Sequence, residues 1–285
     1  MAEHMPGWFT EIFQDQGTGF SLAIDAKVHE EKSQYQHIEI YQTKTFGKLM
    51  VLDGCVMLTD RDNFLYHEMM THPALFTHKA PRDVAIIGGG DCGTLKEVLK
   101  HPDIRKVTQV ELDERVTRVA EEHFPDLCSS NDDPRAELLF EDGIKWINDA
   151  SPNSLDLIIV DSTDPVGPAE GLFAVDFYRN CHLALREGGL LVQQTESPLL
   201  HADTIIKKVH ADMRKAGFKT SRTLPFPQPV YPTGWWSCTM AGKQDNVTFF
   251  READAAERSF RTRYYNEDIH KAALAVPEFM KAALK

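Results

Sequence analysis

Val84-Ala-Ile-Ile-Gly-Gly-Gly-Asp-Cys-Gly-Thr94 is a short apolar run interrupted by four glycines before polar, helix-forming sequence begins. Val84 to Ile87 read as a buried strand, and Thr94 to Lys100 as a helix. Gly88, Gly90 and Gly93 carry the GxGxxG spacing, which allows a tight turn and close backbone approach to a ligand. A strand, glycine loop and helix in that order predict a nucleotide-binding α/β domain.

The pattern continues downstream. Lys106–Val110, Ala136–Phe140, Leu155–Val160 and Leu190–Gln194 read as strands. Between them, Asp113–His123, Gly143–Asn148 and Asp176–Arg186 read as helices, the last ended by Gly188-Gly189. Such alternation predicts a parallel sheet with helices on both faces. Upstream the chain is β-rich. Phe20–Ile24, His37–Tyr41 and Lys48–Leu52 are short apolar or alternating runs, divided by turn signals at Phe46-Gly47 and Asp53-Gly54. A helix follows from Asp62 to Phe76, with Asp60 or Asp62 as its cap, and Lys79-Ala-Pro-Arg82 reads as a connector. The division expected is a small antiparallel β domain with its linking helix over 1–78 and a catalytic α/β domain over 79–285.

Composition narrows the function. A net charge of -12 argues against nucleic acid, whose binders present basic patches, and is compatible with a cationic ligand. No apolar run is long enough to cross a bilayer, and the N-terminal residues lack the layout of a secretion signal. The five cysteines are scattered without a CxxC pair, as expected of reduced thiols in a cytoplasmic protein. His67 and His72, five apart, do not share a helical face, and no metal site is expected.

Glu111 closes the strand after the glycine loop, where an acid can grip a ribose diol. The spacing alone suits a dinucleotide or a nucleoside such as S-adenosylmethionine. Asp91 favours the second. A dinucleotide would bring its pyrophosphate against this anion, whereas a sulfonium or ammonium group would be attracted. Asp142 follows the third strand and suits either a helix cap or a contact to an adenine amino group. Asp161-Ser-Thr-Asp-Pro-Val-Gly-Pro168 follows the fourth strand. Two acids there, before two prolines and a glycine, read as capping residues in a turn or as a stiff acidic loop over a pocket for a cation.

Taken together, these elements resemble spermidine synthases, the polyamine aminopropyltransferases. The resemblance runs from Gly7-Trp-Phe9 to Arg263–Ala273. It is carried by Leu52-Asp-Gly54, Asp60-Arg-Asp62, Phe64–Met70, Gly88–Asp91, Asp161–Pro165, Gly167-Pro168 and Tyr231-Pro-Thr-Gly234. It implies a methyltransferase-like Rossmann domain preceded by a small antiparallel β domain. It also implies transfer of an aminopropyl group from decarboxylated S-adenosylmethionine to putrescine, giving spermidine and methylthioadenosine. The donor would be a co-substrate, with no cofactor or metal. Donor contacts match Gln36, Glu111, Asp142, Gly143 and Pro168. Amine contacts match Tyr66, His67, Asp91, Asp164, Gln194 and Tyr231, with Ser162 and Thr163 beside them and Trp236 as a pocket wall. Asp161 matches the proton acceptor. A homodimer or homotetramer is implied. The sequence departs from the commoner pattern at Cys92, Asp60 and Met57, where glycine, glutamate and, in some members, glutamine stand.

Under this reading the amine arrives as a dication, because alkylamines have a pKa of about 10. It must lose one proton before attack, and Asp161 is the candidate acceptor. Asp91 would repel the carboxylate of ordinary S-adenosylmethionine. The rivals are an amine N-methyltransferase on the same fold, a non-catalytic nucleoside- or polyamine-binding protein, and an NAD-dependent oxidoreductase.

Overall fold

The computed structural model describes residues 7–164 and 167–284. Its N-terminal part is a five-stranded antiparallel sheet in sequence order: β1 (Trp8–Phe13), β2 (Thr18–Lys32), β3 (His37–Thr43), β4 (Lys48–Leu52) and β5 (Cys55–Thr59). Each connection is a hairpin, so neighbours in sequence are neighbours in space. The β2 strand is three times the length expected, because Thr18–Lys32 pairs with β1 through its first half and β3 through its second.

Helix α1 (Asn63–Thr77) leads into a seven-stranded sheet. Its strands and helices follow as β6 (Asp83–Gly88), α2 (Gly93–Leu99), β7 (Lys106–Glu111), α3 (Glu114–His123), β8 (Ala136–Phe140), α4 (Gly143–Asp149), β9 (Leu155–Asp161), α5 (Val175–Ala184), β10 (Leu185–Gln194), β11 (Thr220–Pro227) and β12 (Trp235–Gly242). The strand order is β11-β12-β10-β9-β6-β7-β8. Five strands are parallel, as the alternation predicts. The final β11–β12 hairpin adds an antiparallel edge that the alternation does not reveal.

The sheet is covered on both faces, and period-two side chains divide between two cores. Val84, Ile86, Leu157 and Ile159 pack with α1 and α2, whereas Ala85, Ile87, Ile158 and Val160 pack with α4, α5 and the helix Lys207–Ala216. The α3 side chains Val116, Val119 and Ala120 pack under Ile38, Ile40 and Met50 of the first sheet. That contact fixes the first sheet against the second.

Two local expectations change. Gly188-Gly189 lies inside β10 and not at a helix end, with a register irregularity between Leu185 and Leu190. Asp62 precedes α1, but its carboxylate accepts from Thr59 Oγ1 and the Val230 amide instead of capping the helix.

Candidate active site

The carboxyl ends of β6, β7, β9 and β10 converge, which is where ligands bind in open α/β sheets. The glycine loop after β6 folds directly onto Asp161 at the end of β9. The Gly89 amide donates to the Asp161 carbonyl at 2.8 Å. Gly88 has φ of +84°, and a Cβ there would lie 2.2 Å from that same carbonyl oxygen. No side chain fits, so this glycine is required by the approach itself.

Asp161 is held by two hydroxyls: Tyr66 donates to Oδ1 at 2.7 Å and Thr94 to Oδ2 at 2.6 Å. Burial, helped by the nearby Asp91 charge, raises its pKa, against His67 and the two hydroxyls. Asp91 differs. Burial pushes it up too, but His67 Nε2 at 3.1 Å and the Gly93 amide at 2.6 Å outweigh that and hold it below the ordinary range. Burial correspondingly opposes charge on His67, and Asp91 more than restores it, raising its pKa. The two form an ion pair, the imidazole buried and the carboxylate partly exposed, beside a more basic aspartate.

On the side of β7, the Glu111 carboxylate accepts from the Asp113 amide at 2.9 Å and is pushed up to about 7, chiefly by burial. Asp113 in turn accepts from Ser33 Oγ at 2.6 Å and Gln36 Nε2 at 2.9 Å. These bonds bring the β2–β3 hairpin and Gln36 to the rim of this site. Asp142 caps α4 through the Ile144 amide at 2.8 Å, so the capping reading holds for this residue. A Cβ on Gly143 would lie 2.5 Å from Ile87, which forces the start of α4 close to the sheet. Pro168 falls in the turn Gly167–Phe173, and its side chain, like residues 165 and 166, lies outside those described.

A cavity opens on the other side of Tyr66. Tyr66 and Tyr231 stand edge to face at 6.0 Å, and Tyr231 and Trp236 at 4.8 Å. The Tyr231 hydroxyl is fixed by the Met57 carbonyl at 2.5 Å. Ser162, Asp164 and Gln194 also line the cavity, and Gln194 Nε2 donates to the Thr163 carbonyl at 3.2 Å. Tyr66, Asp91, Asp161, Asp164, Gln194, Tyr231 and Trp236 are thus gathered from five separate stretches of chain.

Two residues here were missed by sequence reasoning. Glu11 of β1 lines the cavity, accepts from the Val56 amide at 2.9 Å, and is pushed up to about 7, chiefly by burial. Glu196 is buried, with φ of +68°, beside Asp164. Burial, then the nearby Asp164 charge, push its pKa well up. Glu11, Asp164 and Glu196 therefore form an acidic cluster in which burial favours the neutral form of Glu196. Signals existed for both. Glu11 shares the inward face of β1 with Phe9 and Phe13, where an acid is out of place. Glu196 lies just beyond the carboxyl end of β10.

His72 is not drawn to the site; it bonds Glu97 and His101 in the core beside α2. Among the described residues one group has metal-ligand spacing: Glu30, His37 and Glu39 on the first sheet. Lys27 Nζ already sits 3.0 Å from Glu30 and 2.5 Å from Glu39, supplying their counter-charge.

Comparison with known proteins agrees with this architecture. Residues 63–251 match the family model described as the spermine/spermidine synthase domain, and residues 7–60 match the spermidine synthase tetramerisation domain. The polyamine aminopropyltransferase of Thioalkalivibrio sulfidiphilus (strain HL-EbGR7) is 64% identical over 277 residues, covering 97% of each chain. That of Halorhodospira halophila (strain DSM 244 / SL1) is 63% identical over 275 residues, covering 96% of this chain and 99% of its own. Among solved structures, a spermidine synthase in complex with the transition state analogue AdoDATO superimposes with a TM-score of 0.93 at 34% identity, covering 99% of this chain and 95% of that one. The spermidine synthase from Thermotoga maritima gives 0.91 at 34% identity, covering 99% and 94%.

Proposed function

The chain belongs to the spermine/spermidine synthase family and is a polyamine aminopropyltransferase, and from that premise we propose that it transfers the aminopropyl group of decarboxylated S-adenosylmethionine to putrescine, with Asp161 as proton acceptor. One observation carries the choice of a diamine. The cavity has carboxylates on two sides of its aromatic residues, with Asp161 behind the Tyr66 hydroxyl, Glu11 and Asp164 in the cavity lining, and Glu196 buried beside Asp164. A chain with an ammonium at each end and methylenes between matches that distribution.

The sulfonium withdraws electrons from the adjacent carbon of the donor. The carbon–sulfur bond breaks with its pair going to sulfur as the amine nitrogen attacks that carbon, and before this attack the nitrogen sheds a proton. Asp161 takes it in this account. Its raised pKa makes it a better acceptor than an exposed carboxylate. Carboxylates near an ammonium oppose deprotonation, but desolvation between Tyr66, Tyr231 and Trp236 works the other way and lowers the pKa of the amine. Holding nitrogen, carbon and sulfur in line supplies much of the rate, since orientation alone can be worth several kcal/mol.

Asp91, kept ionised by His67 and the Gly93 amide, faces the amino end of the donor. There it attracts an ammonium and repels the carboxylate of ordinary S-adenosylmethionine. Glu111 takes the ribose hydroxyls, whose donation favours its charged form against burial. Gln36, Asp142, Gly143 and Pro168 complete the donor side. Tyr66, His67, Ser162, Thr163, Asp164, Gln194, Tyr231 and Trp236, with Asp91 reaching it as well, complete the amine side.

The same reading extends to assembly and location. The match of 7–60 to a tetramerisation domain, with Trp8, Ile12, Val28 and Tyr35 exposed on β1, β2 and the following turn, supports a homodimer or homotetramer. No helix among the described residues is long and apolar enough to cross a membrane. Free thiols at all five cysteines fit a cytoplasmic enzyme.

The test is a panel of donors, decarboxylated and intact S-adenosylmethionine, against putrescine, cadaverine, agmatine and spermidine, read by product mass. Putrescine gaining an aminopropyl group fastest is the expected result. A methylated product, or a clear preference for another amine, would overturn the assignment.

A further inference from the structure

Thr94 has no side-chain role in the proposed chemistry so far, yet its hydroxyl sits 2.6 Å from Asp161 Oδ2, on the oxygen that Tyr66 leaves open. The residue is fully buried, and among the described residues Asp161 is the side-chain partner of that hydroxyl. It is the second residue of α2, so the glycine loop delivers it to this place together with Asp91. We infer that Thr94 is a positioning residue for aminopropyl transfer, orienting Asp161 toward the amine and accommodating the carboxyl group once it has taken the proton. The inference rests on the reading of Asp161 as proton acceptor.

The reason lies in what a hydroxyl can do. It donates to an ionised carboxylate and, by rotating, accepts from a protonated one. Each Asp161 oxygen already accepts one bond and keeps a further lone pair, so neither hydroxyl blocks the proton's arrival. Before the nitrogen–carbon bond forms and the carbon–sulfur pair moves to sulfur, the proton leaving the ammonium lands on Asp161 and frees the lone pair that attacks. Thr94 can turn to serve the protonated oxygen at that moment. Replacing the hydroxyl by a methyl leaves Oδ2 buried without this partner, which favours the neutral carboxyl before reaction and misaligns it.

The other groups facing Asp161 stay in place when Thr94 changes. Asp91 and His67 come from the glycine loop and α1, Tyr66 from α1, Glu111 from the end of β7, and Tyr231 from the segment before β12. Asp91 opposes ionisation of Asp161, while His67, Tyr66 and Thr94 favour it. Removing Thr94's donation therefore moves the pKa of Asp161 upward. Because the acceptor must be ionised to work, the acidic limb of the activity profile moves upward with it.

The experiment compares Thr94→Val, Thr94→Ser and Asp161→Asn with wild type, measuring kcat and KM for both substrates across pH. Thr94→Val should lose about tenfold or more in kcat, the scale expected for one hydrogen bond to a charged group, and shift the acidic limb to higher pH. Its KM values should stay within about threefold. Thr94→Ser should restore both turnover and limb. Should Thr94→Val not fold, Thr94→Ala supplies the same comparison. An unshifted limb with wild-type kcat in the hydroxyl-free variant, or a serine variant as impaired as valine, overturns the inference. If Asp161→Asn itself turns over normally, the proton-acceptor reading fails, and the Thr94 inference with it. An inactive Asp161→Asn beside an unaltered Thr94→Val removes Thr94 alone.

Discussion

The two carboxylate groups around Tyr66 are built differently. At Asp161 and Asp91 every acid has a donor: two hydroxyls for the first, an imidazole and a backbone amide for the second. At Glu11, Asp164 and Glu196 donors are few, and burial together with the Asp164 charge pushes the pKa of both glutamates up. The first cluster has its charges fixed before substrate arrives. In the second, Glu11 and Glu196 have raised pKa values, and an ammonium entering there would supply the counter-charge they lack. Chemistry needs a rigid base and a defined donor site; holding the far end of a flexible amine needs only attraction. The contrast predicts that mutations in the first cluster act on turnover and donor choice, and those in the second on amine KM and pH dependence.

The largest effect should come from Asp161→Asn. Turnover should fall by about 10²- to 10⁴-fold, the range for a lost acid–base group, with donor binding little changed. Steady-state kinetics with a separate donor-binding titration check this, and near wild-type kcat would remove the distinction between the clusters. Next, Glu196→Gln should raise KM for putrescine by about tenfold, equivalent to about 1.4 kcal/mol, and alter kcat far less. A change confined to kcat would place Glu196 with the reacting group instead. Asp91→Asn should erode the preference for the decarboxylated donor over S-adenosylmethionine. Unchanged kcat/KM ratios for the two donors would defeat the repulsion argument.

The smallest effects concern pH. Glu11 has a folded pKa of about 7, above its ordinary 4.5. It is therefore protonated in the empty enzyme at mildly acidic pH, and binding an ammonium requires it to ionise. KM for putrescine should improve as pH rises from about 6 to 8, with a shallower slope in Glu11→Gln. The sign for stability is opposite. A raised folded pKa means the folded state holds the proton more tightly, so stability is fully present below the unfolded pKa of 4.5 and declines as pH rises to about 7. Glu11→Gln should thus melt higher than wild type at pH 8 and equally at pH 4. Parallel thermal scans decide it.

Much of this contrast was visible in the chain, but unevenly. The fixed cluster follows from local rules: a glycine loop after a strand, an acid in it, and acids at strand ends. Its partners follow less well. That Gln36 reaches the site through Asp113 depends on how the first sheet packs under α3, which no local pattern encodes. The adaptable cluster depends on joining β1 to the end of β10, from residues 11 and 196. Only the tertiary fold brings those together. Likewise β10 begins at Leu185 because backbone pairing with Leu155 overrides the helix-ending look of Gly188-Gly189.

The central claim is that the cavity reads a diamine by acids at both ends. It is tested most directly by comparing kcat/KM for putrescine with that for n-butylamine, which has the same carbon chain without the second ammonium. The account predicts a preference for putrescine of about 100-fold or more, nearly all in KM, collapsing in a Glu11→Gln, Glu196→Gln double variant. Equal use of the two amines by wild type, or a preference that survives the double variant, would contradict it.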